Sequence, residues 1–97
     1  MKAIFIAFNQ AYNMEVADAL EKLSCRGFTM WTDVDGRGSK DGEPHLGNHA
    51  WPTQNNAILA FVPDDKVDSI LEEVKRMDEE TPALGMRAFV WTTDKAY

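Results

Sequence analysis

The residues with the most chemical potential sit together in one glycine-rich stretch. Gly36-Arg37-Gly38-Ser39-Lys40-Asp41-Gly42 is a partly cationic turn. Glycines let backbone N–H groups approach an anion without a Cβ in the way, and Arg37 and Lys40 add positive charge. The Walker spacing G-x-x-x-x-G-K-[ST] is absent. An ordinary flexible loop accounts for the same composition, so anion binding and a plain surface loop both stay open. Both histidines follow a few residues on. His45 and His49 lie four apart, with Asp41 and Glu43 nearby. Such a pair closes on a metal only with a third ligand from elsewhere. Cys25 qualifies by type, but its place near the end of a helical pattern favours packing as a small apolar residue. Trp51-Pro52 is either an exposed contact or a ring folded back on the core. The remaining residues offer no nucleophile elbow, no Cys-His pair and no paired carboxylates in an apolar setting. With 16 acidic residues, chance carboxylate pairs are expected. The sequence therefore reads as that of a non-enzyme.

The elements that must position these residues follow from periodicity. Residues 2–8 form a short apolar run (Ile4, Phe5, Ile6, Phe8) that predicts a central strand. Asn13 is expected to cap a helix carrying Val16, Ala19, Leu20 and Leu23, with Gly27 ending it. Phe28 to Thr32 predict a second strand. Asp33 to Asn56 collect Gly36, Gly38, Gly42, Gly47, Pro44 and Pro52, and predict a long loop of the kind that is usually functional or disordered. Ala57 to Val62 predict a third strand. Asp64 is expected to cap a second helix with the apolar stripe Val67, Ile70, Leu71, Val74 and Met77. Arg87 to Thr92 predict a fourth strand. This order specifies an α+β, ferredoxin-like βαββαβ sandwich: a four-stranded antiparallel sheet with both helices on one face. Large residues on alternate strand positions make the second sheet face apolar as well. That predicts contact with another subunit, the alternative being a monomer with a half-solvated sheet.

Bulk properties exclude several classes. The 97 residues amount to one domain, 1–97, with 44% hydrophobic and 27% charged residues, values that argue against disorder. The net charge of −6 disfavours nucleic acid as a partner. A single cysteine precludes an internal disulfide and suits a reducing compartment. No apolar run approaches the roughly 20 residues needed to cross a bilayer, and the N-terminus lacks a convincing signal sequence. A cytoplasmic protein without direct membrane insertion is expected.

Three segments carry a family resemblance. Val34-Asp35-Gly36-Arg37-Gly38-Ser39-Lys40-Asp41-Gly42 resembles the base of the T-loop in PII signal proteins, with its V-x-G-x-G-x-x-x-G pattern. Ala57 to Asp68 includes Val62-Pro63-Asp64-Asp65-Lys66-Val67-Asp68, similar to the family's V-P-D-D-x-V-D. Arg87-Ala88-Phe89-Val90 is similar to its K-I-F-V strand. The matches fall in order over almost the whole chain. The resemblance implies a homotrimer that binds an adenine nucleotide (ATP, ADP or AMP) in clefts between subunits. It implies signal transduction to a partner protein, such as a membrane transporter, through a T-loop-like segment at about 33–56. Carried over by position, Gly36, Arg37, Gly38 and Lys40 belong to the phosphate side. Val62, Pro63, Asp64 and Asp65 lie beside adenine and ribose, and Arg87 replaces a phosphate-contacting lysine. Lys40 also stands where the family has a glutamine that supports a metal and 2-oxoglutarate, and that role is not carried over. Residues 93–97 contain no R-x-R pair of the kind that helps hold phosphates in the family. The alternative is a metal-binding trimer related to metal transport or tolerance, with His45 and His49 holding a divalent metal.

Overall fold

The computed structural model describes residues 1–36, 54–82 and 85–97. Its elements are β1 (Lys2–Asn9), α1 (Asn13–Lys22), β2 (Phe28–Val34), β3 (Asn55–Val62), α2 (Val67–Glu80) and β4 (Arg87–Thr92). A short 3-10 turn leads into each helix, Gln10–Tyr12 and Asp64–Lys66. The strands form one sheet in the order β2-β3-β1-β4, and every neighbouring pair is antiparallel. This is the ferredoxin-like α+β arrangement that the element order predicts.

Strand alternation divides the side chains between two faces. Ile4, Ile6 and Phe8 of β1 point to the helices, as do Ile58, Ala60 and Val62 of β3. They pack with Val16 and Leu20 of α1 and with Ile70, Val74 and Met77 of α2 in one cluster. The helical stripe read from the sequence is the buried stripe of α2, with Val67 and Leu71 at its margins. The odd-numbered positions face away from the helices. There β1 places Ala3, Phe5 and Ala7, flanked by Ala57, Leu59 and Phe61 of β3 and by Arg87, Phe89 and Trp91 of β4.

Three expectations at the helix ends are corrected. Asn13 does not cap α1; it is the first helical residue, and its Oδ1 accepts a hydrogen bond from Asn56 Nδ2 at 2.9 Å. The 3-10 turn starts earlier, so the capping oxygen is Asn9 Oδ1, which accepts from the Ala11 N–H at 2.8 Å. Gly27 does not end α1. The helix stops at Lys22, and Ser24 takes the left-handed conformation at φ 59°. Ser24 N–H donates to Glu21 O (3.0 Å) and Cys25 N–H to Leu20 O (2.8 Å). These two bonds form a Schellman cap, whose following residue usually packs on apolar surface. That residue is Cys25, which is buried in the core and whose thiol burial pushes above its ordinary pKa, opposed by the nearby Lys66 charge. Asp64 caps nothing; Pro63 occupies the capping position before the 3-10 turn. Asp64 instead pairs with the N-terminal ammonium at 2.9 Å.

Candidate functional site

The segment predicted as a loop over 33–56 is shorter by several residues, because β2 continues to Val34 and β3 begins at Asn55. Between the pairs Trp31↔Ala57 and Val34↔Asn55 the register shifts by one residue, the mark of a β-bulge. Asp33 lies in this bulge at φ 56°, a conformation that a residue with a Cβ adopts only when its surroundings hold it there. Both sides of Asp33 are held. Its N–H donates to Asn56 Oδ1 at 3.2 Å, and its carbonyl accepts from Gln54 Nε2 at 3.3 Å. Gln54 Nε2 also donates to Asp35 Oδ1 at 3.2 Å. Asn56 is buried and reaches on to Asn13, so the start of α1, the bulge and the start of β3 share one polar network. A polar network anchored on a buried carboxamide rigidifies when all its members are satisfied.

The bulge aims Asp35 and Gly36 over the open face of the sheet. Beside them lies a cleft of about 320 Å³, within the range of small-molecule sites. Its floor is Phe5, Ala7 and Ala57, and one wall is Phe89. Gly36 and Arg87 stand at its edge. The absence of a side chain at Gly36 matters here: a Cβ would lie 2.7 Å from Asn55 Nδ2, so any substituent displaces that carboxamide. On the opposite side, Gly85 at φ 64° turns the chain into β4, a backbone shape that suits glycine. Its N–H donates to Pro82 O at 3.1 Å. An apolar floor with a glycine edge and one guanidinium can accept a flat apolar group and an anion together.

Gly36 and Arg87, far apart in sequence, are thus brought to one cleft. Val62, Pro63, Asp64 and Asp65 are not part of it. Val62 points into the core, and Ala57 and Val62 are five steps of β3 apart, roughly 17 Å. Pro63, Asp64 and Asp65 are exposed at that far end. The ammonium hydrogen bond, then its charge, holds the Asp64 carboxyl below its usual range. Arg37, Gly38, Lys40, His45, His49 and Trp51 lie outside the described residues. Among the described residues no cluster of three His, Cys, Asp or Glu side chains could hold a metal. Sequence reading missed Phe5, Ala7, Ala57 and Phe89. Their signal was available: odd-numbered positions opposite a core built from even-numbered ones in β1 and β3.

A four-stranded antiparallel sheet with paired helices on one face defines a ferredoxin-like α+β protein, here with a glycine-edged cleft at a bulged strand end. The nitrogen regulatory protein P-II family model matches residues 1–97, and the chain belongs to that family. No curated protein matches the sequence. Solved structures agree on the fold. CPII, a nitrogen regulatory PII-like protein from Thiomonas intermedia K12 bound to ADP, AMP and bicarbonate, superposes with a TM-score of 0.74 at 23% identity. The match covers 93% of this chain and 82% of that one. The same protein bound to ADP, AMP and acetate gives a TM-score of 0.66 at 25% identity, covering 92% and 81%. A PII-like signaling protein from Thermus thermophilus gives 0.66 at 20% identity, covering 93% and 83%.

Proposed function

We propose that the protein is a regulator, not an enzyme, that senses an adenine nucleotide at the cleft beside Gly36 and Arg87. In this reading residues 1–97 form a single domain, three copies assemble through their open sheet faces, and the segment 33–56 reports occupancy to a partner protein. One observation carries it: the fold brings a glycine edge and a guanidinium, 51 positions apart, to the same aromatic-floored cleft. The adenine ring takes the apolar floor, and the phosphates take Arg87 and the backbone at Gly36. Membership of a family of regulatory proteins, and ADP and AMP in the CPII structures, support the choice of ligand. Val62 to Asp65 stand at the other end of the sheet, so their part in the site requires a neighbouring copy.

The test is calorimetric titration of ATP, ADP and AMP, with light scattering on the same sample. A species of three chains that binds one of these nucleotides is expected. Gly36→Ala, which displaces Asn55, and Arg87→Ala, which removes the cation, should each weaken binding by about tenfold while the circular dichroism spectrum is kept. Equal affinity in both variants would sink the nucleotide reading.

A further inference from the structure

Arg87 is not a free cation at the edge of the cleft. Asp78, in the last turn of α2, spans the chain where it enters β4. Its Oδ1 accepts the Met86 N–H at 3.1 Å, and its Oδ2 accepts a hydrogen bond from Arg87 Nη1 at 3.0 Å. Arg87 Nη1 also donates to the Met86 carbonyl at 2.7 Å. One nitrogen of the guanidinium is therefore anchored twice. Nε and Nη2 make no hydrogen bond to any described residue. Asp78 also sits at the wrong end of its helix. A carboxylate in the last turn opposes the helix dipole, and α2 has no basic residue there to offset it. A locally unfavourable charge that is bonded through one oxygen to Arg87, which lines the cleft, and through the other to the backbone N–H just before it points to a task there.

We propose that Asp78 is the positioning residue for anion capture by Arg87. It holds the guanidinium by Nη1 before any ligand arrives and leaves the Nε–Nη2 edge for a phosphate. The inference rests on the nucleotide reading above and adds a residue outside the cleft wall to it. A held fork gives up less rotamer freedom on binding than a loose one. The opposing effect, repulsion between the Asp78 carboxylate and a phosphate, is weak here. The two side chains are 25% and 43% exposed, so water and salt screen it.

The experiment is a double-mutant cycle on the full chain with ADP as the titrant. Asp78→Asn keeps an oxygen for the Met86 N–H and removes the charge that anchors Arg87. It should weaken ADP binding by about fivefold. In an Arg87→Ala background the same change should have no further effect on affinity. Asp78→Glu, which keeps the charge and displaces the carboxylate, should weaken binding as well, and it stands in should Asp78→Asn fail to fold. Unchanged or tighter ADP binding in the Asp78 variants overturns the inference alone. An equal loss with and without Arg87 also overturns it, because Asp78 then acts through Met86 and the fold. A wild-type protein that binds no ADP removes the nucleotide reading, and the inference with it.

Discussion

The two faces of the sheet obey the same alternation but are filled with different side chains. The helix-covered face is mostly aliphatic, with Phe8 near its centre and Phe28 at its β2 edge, and its central residues Ile4, Ile6, Phe8 and Ile58 are fully enclosed by α1 and α2. The open face, one residue along each strand, carries Trp31, Phe61, Phe89 and Trp91 at 46%, 53%, 59% and 50% exposure. Scattered apolar residues on a surface need no explanation, but four large, half-exposed aromatic side chains on one sheet face, spread over β2, β3 and β4, call for one. Each is about half exposed, so covering it would bury on the order of 100 Å² more. The difference teaches a division of labour: one face makes the protomer stable, and the other is left for the second copy and the ligand of the proposed function.

The strongest way to break that division is to open a hole in the covered face. Phe8→Ala removes a fully buried ring and should lower unfolding stability by about 3–5 kcal/mol in a urea titration. The same kind of insult on the open face should behave otherwise. Phe89→Glu places a charge in the aromatic patch, so it should reduce the mass seen by light scattering to that of one chain and leave the far-ultraviolet circular dichroism spectrum intact. If Phe89→Glu unfolds the chain as Phe8→Ala does, the two faces are not separate in role.

How much of this was legible in the sequence follows from the range of each signal. The four strands and two helices were visible because apolar periodicity is local, and it held best in α2, where Ile70, Val74 and Met77 are the buried stripe. The helix ends were misread because capping depends on one or two residues of register. Ser24 adopts a positive φ that the sequence suggests for Gly27, and the side-chain cap belongs to Asn9 and the 3-10 turn that leads into α1. The polar residues Gln54, Asn55 and Asn56 read as loop. They lead into and begin β3, the Gln54 and Asn56 amides hold the bulge at Asp33, and a partner 23 residues away leaves no local trace. Gly36 and Arg87 could be singled out by type and resemblance. Their meeting at one cleft depends on β4 lying beside β1, which only the fold supplies. Asp78 was invisible among 16 acidic residues until its two partners were known.

The smallest expected effect belongs to the end of the sheet away from the cleft, where Asp64 meets the N-terminal ammonium. That pair is exposed, so its contribution is slight, but its sign is fixed. The ammonium hydrogen bond lowers the folded pKa of Asp64 from its ordinary 3.8, so the folded state favours the carboxylate more than the unfolded chain does. The stability it adds is fully present above the unfolded value and is lost as pH falls through the folded one. Asp64→Asn should therefore lower the melting temperature slightly and by a constant amount between about pH 5 and neutrality, where the ammonium is charged, and the gap to wild type should close on acidification. A gap that persists unchanged down to about pH 2 would mean that the substitution acts on the Pro63 turn rather than on the carboxylate charge. The far end of the sheet would then be held by backbone shape, unlike the bulged end with its side-chain amides, and not by an ion pair.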